Sequence, residues 1–212
     1  MIASLLDDDD QAVGGSWSLE VRWIRAGGVP SAMVQWLGAA DADTERRVDR
    51  YLVEPLRPEL SVKIRAGVRL DLKALRGSRG ALEVPGAVGR IEAWEKWTFP
   101  VRPGALASYD GSSWRSVDKV RRRRSFRIED GSPVERSLEE AELEGCTIEL
   151  TEFTVGTGTW WTVGLEATGG TDTLERDLLA TAGLLFGRAV PDDAGLDLEV
   201  STSYARWLGS EE

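Results

Sequence analysis

Leu60-Ser61-Val62-Lys63-Ile64-Arg65 is followed by Ala66-Gly67-Val68 and then by Arg69-Leu70-Asp71-Leu72-Lys73-Ala74-Leu75. Side chains on a β-strand point to alternate faces. Val62 and Ile64 therefore lie opposite Lys63 and Arg65, and Leu70 and Leu72 lie opposite Asp71 and Lys73. Two alternating runs around a short turn predict a hairpin with one apolar and one charged face.

The same pattern extends in both directions. Residues 16–25 place Leu19, Val21 and Trp23 on one face and Glu20 and Arg22 on the other. Residues 46–53, 90–101 and 113–128 read as strands, and 146–155 and 160–168 as a second hairpin around Gly156-Thr157-Gly158. That makes about eight strands, mostly antiparallel neighbours. Pro30 opens a helical stripe (Met33, Val34, Trp36, Leu37) that Gly38 can end. Leu174, Leu178, Leu179, Ala182, Leu185 and Phe186 recur at helical spacing within 171–186, and 203–208 predicts a last helical turn. Glycine-rich 76–89 reads as a loop, and acidic 129–145 as an exposed connection. Residues 1–15, with aspartates at 7 to 10, read as a disordered acidic tail, leaving 16–212 as one domain.

Composition narrows the chemistry. The net charge is −10, which argues against a basic nucleic-acid surface. There is no histidine, so histidine bases and histidine metal ligands are excluded. Any metal would need oxygen ligands, which favours Mg²⁺, Mn²⁺ or Ca²⁺. The single cysteine, Cys146, rules out an internal disulfide and fits a buried thiol in a cytoplasmic protein. No apolar run is long enough to cross a membrane, and no signal peptide is expected.

All four lysines fall on the charged strand faces. That side carries Glu20 and Arg22; Lys63 and Arg65; Asp71 and Lys73; Arg90, Glu92, Trp94 and Lys96; Lys119, Arg121 and Arg123; then Glu149 and Glu166. The other side is largely apolar and must be covered, and the two helices are the available cover. Eight strands can close into a barrel that holds one small ligand. The charged face would then line the barrel, where a polyanion would relieve surplus cations.

On these residues the chain resembles the triphosphate tunnel metalloenzymes, the CYTH superfamily. The likeness covers most of residues 18–168. It is carried by Glu20, the pair Lys63 and Arg65, Lys73, Arg90-Ile91-Glu92, Lys119-Val120-Arg121, Glu149 and Glu166. The strings Ala93-Trp94-Glu95-Lys96-Trp97 and Trp160-Trp161-Thr162-Val163-Gly164-Leu165-Glu166 are similar to a bacterial branch of CYTH-like proteins. The resemblance implies a mainly β, α+β fold: an eight-stranded antiparallel barrel with flanking helices. It implies that Arg22, Lys63, Arg65, Lys73, Arg90, Lys119, Arg121 and Arg123 grip a triphosphate or polyphosphate. Glu92 and Lys96 would be catalytic, and Glu20, Glu149 and Glu166 would hold Mg²⁺ or Mn²⁺. Two positions depart from the family pattern. The first strand usually reads E-x-E-x-K, and here Arg22 stands at the second acid. Gly164 stands where the last strand often has another acid.

Three functions stay open at this point. One is metal-dependent hydrolysis of a triphosphate. Another is binding of a phosphorylated small molecule without turnover. The third is a structural barrel whose interior charges pair with one another.

Overall fold

In the computed structural model, residues 13–38, 43–53, 57–101, 113–138 and 144–210 are described. The chain runs β1 (Val13–Ala26), α1 (Ser31–Leu37), β2 (Asp43–Leu52), β3 (Leu60–Arg65), β4 (Arg69–Val84), β5 (Ala87–Pro100), β6 (Trp114–Glu129), β7 (Ser132–Arg136), β8 (Gly145–Val155), β9 (Gly158–Gly169), α2 (Leu174–Phe186) and α3 (Tyr204–Leu208). The strands hydrogen-bond in the order β2-β3-β4-β5-β1-β9-β8-β6, and β6 pairs back to β2. Every pairing between these strands is antiparallel. Eight strands thus close a barrel, as expected. A ninth, β7, extends β6 as a hairpin outside the closure.

The apolar faces point outward, beneath the helices. Leu19, Val21 and Trp23 of β1 join Ile148 and Leu150 of β8 and Val163 and Leu165 of β9 in the main core. Leu174, Leu178, Ala182, Leu185 and Phe186 of α2 and Met33, Trp36 and Leu37 of α1 cover them. Each large side chain buried here contributes about 1.5–3 kcal/mol. Cys146 lies in this core, and burial pushes its thiol up to about 12. Its reading as an inert structural thiol is consistent with that environment.

Two segments differ from the sequence expectation. Residues 76–89 are largely strand: β4 runs to Val84 and β5 starts at Ala87. Their glycines mark irregularities within strands. The β4–β5 register shifts between Leu75 and Gly77 and again between Ser78 and Ala81. Gly77 and Gly80 take positive φ at these bulges, where only glycine is unstrained. Gly89 admits the Trp23 ring, since a Cβ there would lie 2.5 Å from it. The connection expected at 129–145 contains β7. β1 already begins at Val13, so residues 13–15 belong to the barrel; the rest of the expected tail lies outside the described residues. No described helix is long and apolar enough to cross a membrane.

Candidate functional site

Closing the sheet brings the charged faces together in one bore. One end is apolar. Ile24, Tyr51, Val53, Val117 and Phe153 pack there against Trp207 and Leu208 of α3. The Phe153 ring meets Trp160, Tyr204 and Trp207 at centroid distances of 6.1, 5.3 and 5.2 Å. The short helix α3 therefore floors the barrel, and Ser203, Tyr204 and Ala205 face the bore from that floor.

Above the floor are two connected recesses. The first, about 710 Å³ with the space at its mouth, is lined by Lys63, Lys73, Lys119, Arg47, Glu20, Glu92 and the rings of Tyr51, Trp94 and Tyr204. The second, about 760 Å³, is lined by Arg69, Lys96 and Arg123 together with Thr147, Gly164 and Thr168. Arg22, Arg65, Arg121, Glu149 and Glu166 line both. The second recess therefore presents six cations (Arg22, Arg65, Arg69, Lys96, Arg121 and Arg123) and two acids.

Most of these charges are paired. Lys73 Nζ lies 2.5 Å from Glu20 Oε1 and 2.8 Å from Glu166 Oε1. Arg121 grips Glu149 and lies 2.8 Å from Glu45. Arg22 lies 3.5 Å from Glu149 and 3.3 Å from the Thr162 hydroxyl. Arg65 lies 2.7 Å from Asp71, and Arg123 lies 3.3 Å from Glu45. Lys119 donates to the Tyr51 hydroxyl at 2.7 Å, lies 3.3 Å from Asp49, and sits 3.9 Å from the Tyr204 ring centroid. Lys96 is in no ion pair among the described residues.

Protonation follows from burial set against these partners. Burial pushes Lys119 down to about 7 despite Asp49 and Glu149. Burial, then Arg65, pushes Lys63 well below the usual lysine range. Burial, then Lys73, lowers Lys96. Burial alone would raise Asp49, but Lys63, Lys119 and Arg47 outweigh it and hold the carboxyl at about 2. Glu92 is raised, chiefly by burial, with Arg206 opposing.

The bore gathers all but one of the side chains singled out in the sequence. Glu20, Arg22, Lys63, Arg65, Lys73, Lys119, Arg121, Glu149 and Glu166 line the first recess, the second or both, and Arg123 lines the second. Glu92 and Lys96 sit in different recesses. Glu92 accepts from the Trp94 indole at 3.3 Å and lies 3.5 Å from Arg206 of α3. Arg90 lines neither recess. Its guanidinium donates to the carbonyls of Leu198 and Ser201, tying down the segment that precedes α3.

The sequence reading missed Glu45, Arg47, Asp49 and Tyr51 of β2, as well as Tyr204. Their signal was the alternation Glu45-x-Arg47-x-Asp49-x-Tyr51. The intervening Arg46, Val48 and Arg50 are not an apolar stripe, so the pattern did not say which face turns inward.

The closed eight-stranded antiparallel barrel with its charged bore is the architecture that the resemblance implied. No family model matches the chain, and no curated protein does. Among solved structures it is similar to HpAC1 from Hippeastrum, described as a candidate adenylyl cyclase with a dominant triphosphatase activity. That likeness has 15% identity and a TM-score of 0.37, over 83% of this chain and 99% of that one. It is also similar to the S. pombe RNA triphosphatase Pct1, solved in complex with the Spt5 CTD. There the identity is 11% and the TM-score 0.35, over 84% of this chain and 82% of that one. These likenesses assign no residue of this chain a role.

The three acids expected to hold Mg²⁺ or Mn²⁺ do not fit a divalent ion as they stand. Glu20 and Glu166 share Lys73, and Glu149 is held by Arg121 and faces Arg22. Among the described residues, no three acidic or thiol side chains come together as a metal-binding group.

Proposed function

We propose that the tunnel binds a triphosphate-bearing small molecule or a short polyphosphate, without itself turning it over. The observation that carries this reading is the surplus of cations around the bore: ten line the two recesses, against Glu20, Glu92, Glu149 and Glu166 of the lining and Glu45, Asp49 and Asp71 that pair with them, and Lys96 is in no ion pair among the described residues. Buried cations without counter-charge are costly. A polyanion supplies that charge, and arginine forks match phosphate oxygens. The whole chain is acidic, so this basic cavity is not a by-product of composition. The floor formed by α3 supports a ligand that is short or enters by its end. Between hydrolysis and binding, the ion pairs favour binding, because Glu20, Glu149 and Glu166 already serve as partners of internal cations.

The test is a thermal-shift and calorimetric series with tripolyphosphate, ATP and orthophosphate. At 100 times Kd the ligand should stabilise the fold by about 2.7 kcal/mol, a rise of about 5–10 °C for a chain of this size. Absence of any shift with every polyphosphate would leave the mutually paired structural barrel as the better reading. Release of phosphate in the presence of Mg²⁺ or Mn²⁺ would instead assign hydrolysis.

The lysines add a pH dependence. Below about pH 7, Lys119 is already charged and ready for phosphate. Above it, binding must recharge the amine by taking up a proton. Affinity for tripolyphosphate is therefore expected to fall as pH rises past 7, by up to about tenfold per pH unit for one proton. Calorimetry at pH 8 in buffers of different ionisation enthalpy should show net proton uptake. Proton release, or affinity that is flat from pH 6 to 9, would exclude this role for Lys119.

A further inference from the structure

Arg22 and Gly164 face each other directly across β1 and β9. A Cβ at position 164 would lie 3.0 Å from Arg22 Cζ, 3.2 Å from its Nη2 and 3.1 Å from the Val21 carbonyl oxygen. A side chain at position 164 would press on the guanidinium where it lies against the strand, and glycine leaves that space open. In that place Arg22 reaches Glu149 and Thr162 and stacks 5.0 Å from the Tyr204 ring centroid. Lys73 occupies an equivalent place beside it, bridging Glu20 and Glu166. The two departures from the family pattern are thus one arrangement: the glycine makes the space that the arginine fills.

We propose that Arg22 and Lys73 do the bridging that a divalent ion would do, so that the tunnel takes the metal-free phosphate chain and divalent ions oppose its binding. A dication entering among Glu20, Glu149 and Glu166 would displace Lys73 or Arg22 from its carboxylates. The displaced cation would stay buried without a partner, which is strongly unfavourable. A displaced Arg22 would also lie close to Arg121, which shares Glu149 with it, and like charges repel in a poorly screened interior. A triphosphate already complexed to Mg²⁺ carries less negative charge and presents fewer free oxygens to the arginine forks. Binding it would require stripping the ion. Burial opposes the charged forms of both residues, but Glu149 on Arg22 and Glu166 with Glu20 on Lys73 outweigh it and hold both protonated. Neither can make way for a metal by losing a proton near neutral pH.

The polyphosphate part of this inference rests on the function proposed above, and two measurements separate them. In the first, tripolyphosphate is titrated calorimetrically into the protein with chelator and then with saturating Mg²⁺. Mg²⁺ should weaken the apparent affinity at least about threefold by depleting the free anion; tightening by Mg²⁺ or Mn²⁺ overturns the proposal. In the second, Mn²⁺ alone is titrated into the wild type and Glu166→Gln and followed by electron paramagnetic resonance, with near-ultraviolet circular dichroism checking that the variant is folded. The two isotherms should coincide, any Mn²⁺ on the acidic exterior being common to both. A Mn²⁺ site present in the wild type and lost in the folded variant overturns the proposal. If tripolyphosphate binds under neither condition, the triphosphate reading falls, while the Mn²⁺ comparison still decides whether internal cations exclude a metal.

Discussion

Asp49→Asn is expected to destabilise the ligand-free protein by about 3–5 kcal/mol, the usual cost of removing one partner from a buried ion pair. Asp49 is fully buried. Its carboxylate lies 3.1 Å from Arg47, 3.3 Å from Lys119 and 4.0 Å from Lys63. Asparagine keeps the shape and an acceptor but removes the charge, so that below about pH 7, where Lys119 is charged, that lysine faces Arg47 and Lys63 without a counter-ion. The sign can be checked by pH. A carboxyl held at about 2 contributes stability that is fully present above its ordinary value near 4 and is lost as pH falls toward 2. Wild type and variant should therefore converge in stability in strong acid. Tripolyphosphate should act in the opposite direction, binding the variant more tightly because the anion now supplies the missing charge. Urea denaturation with and without tripolyphosphate measures both effects. A loss below about 1 kcal/mol would mean that the three cations are not charged together in the folded state. Weaker ligand binding by the variant would mean that Asp49 positions the cations more than it competes for them.

How much of this site could be read along the chain depended on what each strand shows on its other face. Lys63 and Arg65 could be placed because Val62 and Ile64 alternate with them, and one of the two sets had to be buried. β1, β8 and β9 were legible for the same reason. β2 was not: with arginines and a valine between Glu45, Arg47, Asp49 and Tyr51, either face could have met water. Three charged groups of the tunnel wall were hidden by that symmetry. Arg90 shows the converse failure. Its parity with Glu92 is correct, but the segment around Leu198 and Ser201 engages its guanidinium at that end of the strand. A tertiary contact more than 100 residues away leaves no trace in alternation. The glycines of 76–89 misled because a bulged strand and a loop draw on the same residue type. The exchange of an acid for Arg22 was visible in the sequence, as was Gly164. That the glycine leaves the space the arginine occupies became apparent only once β1 and β9 were paired.

Phe153→Ala is expected to cost about 3–5 kcal/mol and to unseat α3 before the barrel itself unfolds. Phe153 is 1% exposed, and its ring touches Trp160, Tyr204 and Trp207 together. Two of those three belong to α3, a helix of five residues. A helix that short has little stability of its own, so its place depends on this aromatic packing and on Arg206 reaching Glu92. The barrel strands are instead held on both sides by hydrogen-bonded neighbours around the closure. Truncation should therefore release the backbone amides of Tyr204–Leu208 to rapid hydrogen exchange while those of β8 and β9 stay protected. Tripolyphosphate affinity should fall in parallel, because Tyr204 no longer backs Lys119 and Arg22 and water reaches the cations from below, where it screens them. Phe153→Leu, which keeps most of the volume, should cost less than about 1.5 kcal/mol and leave both readouts near wild type. Protection of α3 equal to wild type in the alanine variant would show that the helix is held by something other than this cluster. Unchanged affinity in a variant that has lost α3 would show that the floor plays no part in gripping the anion and that a phosphate chain could be held in a barrel open at both ends.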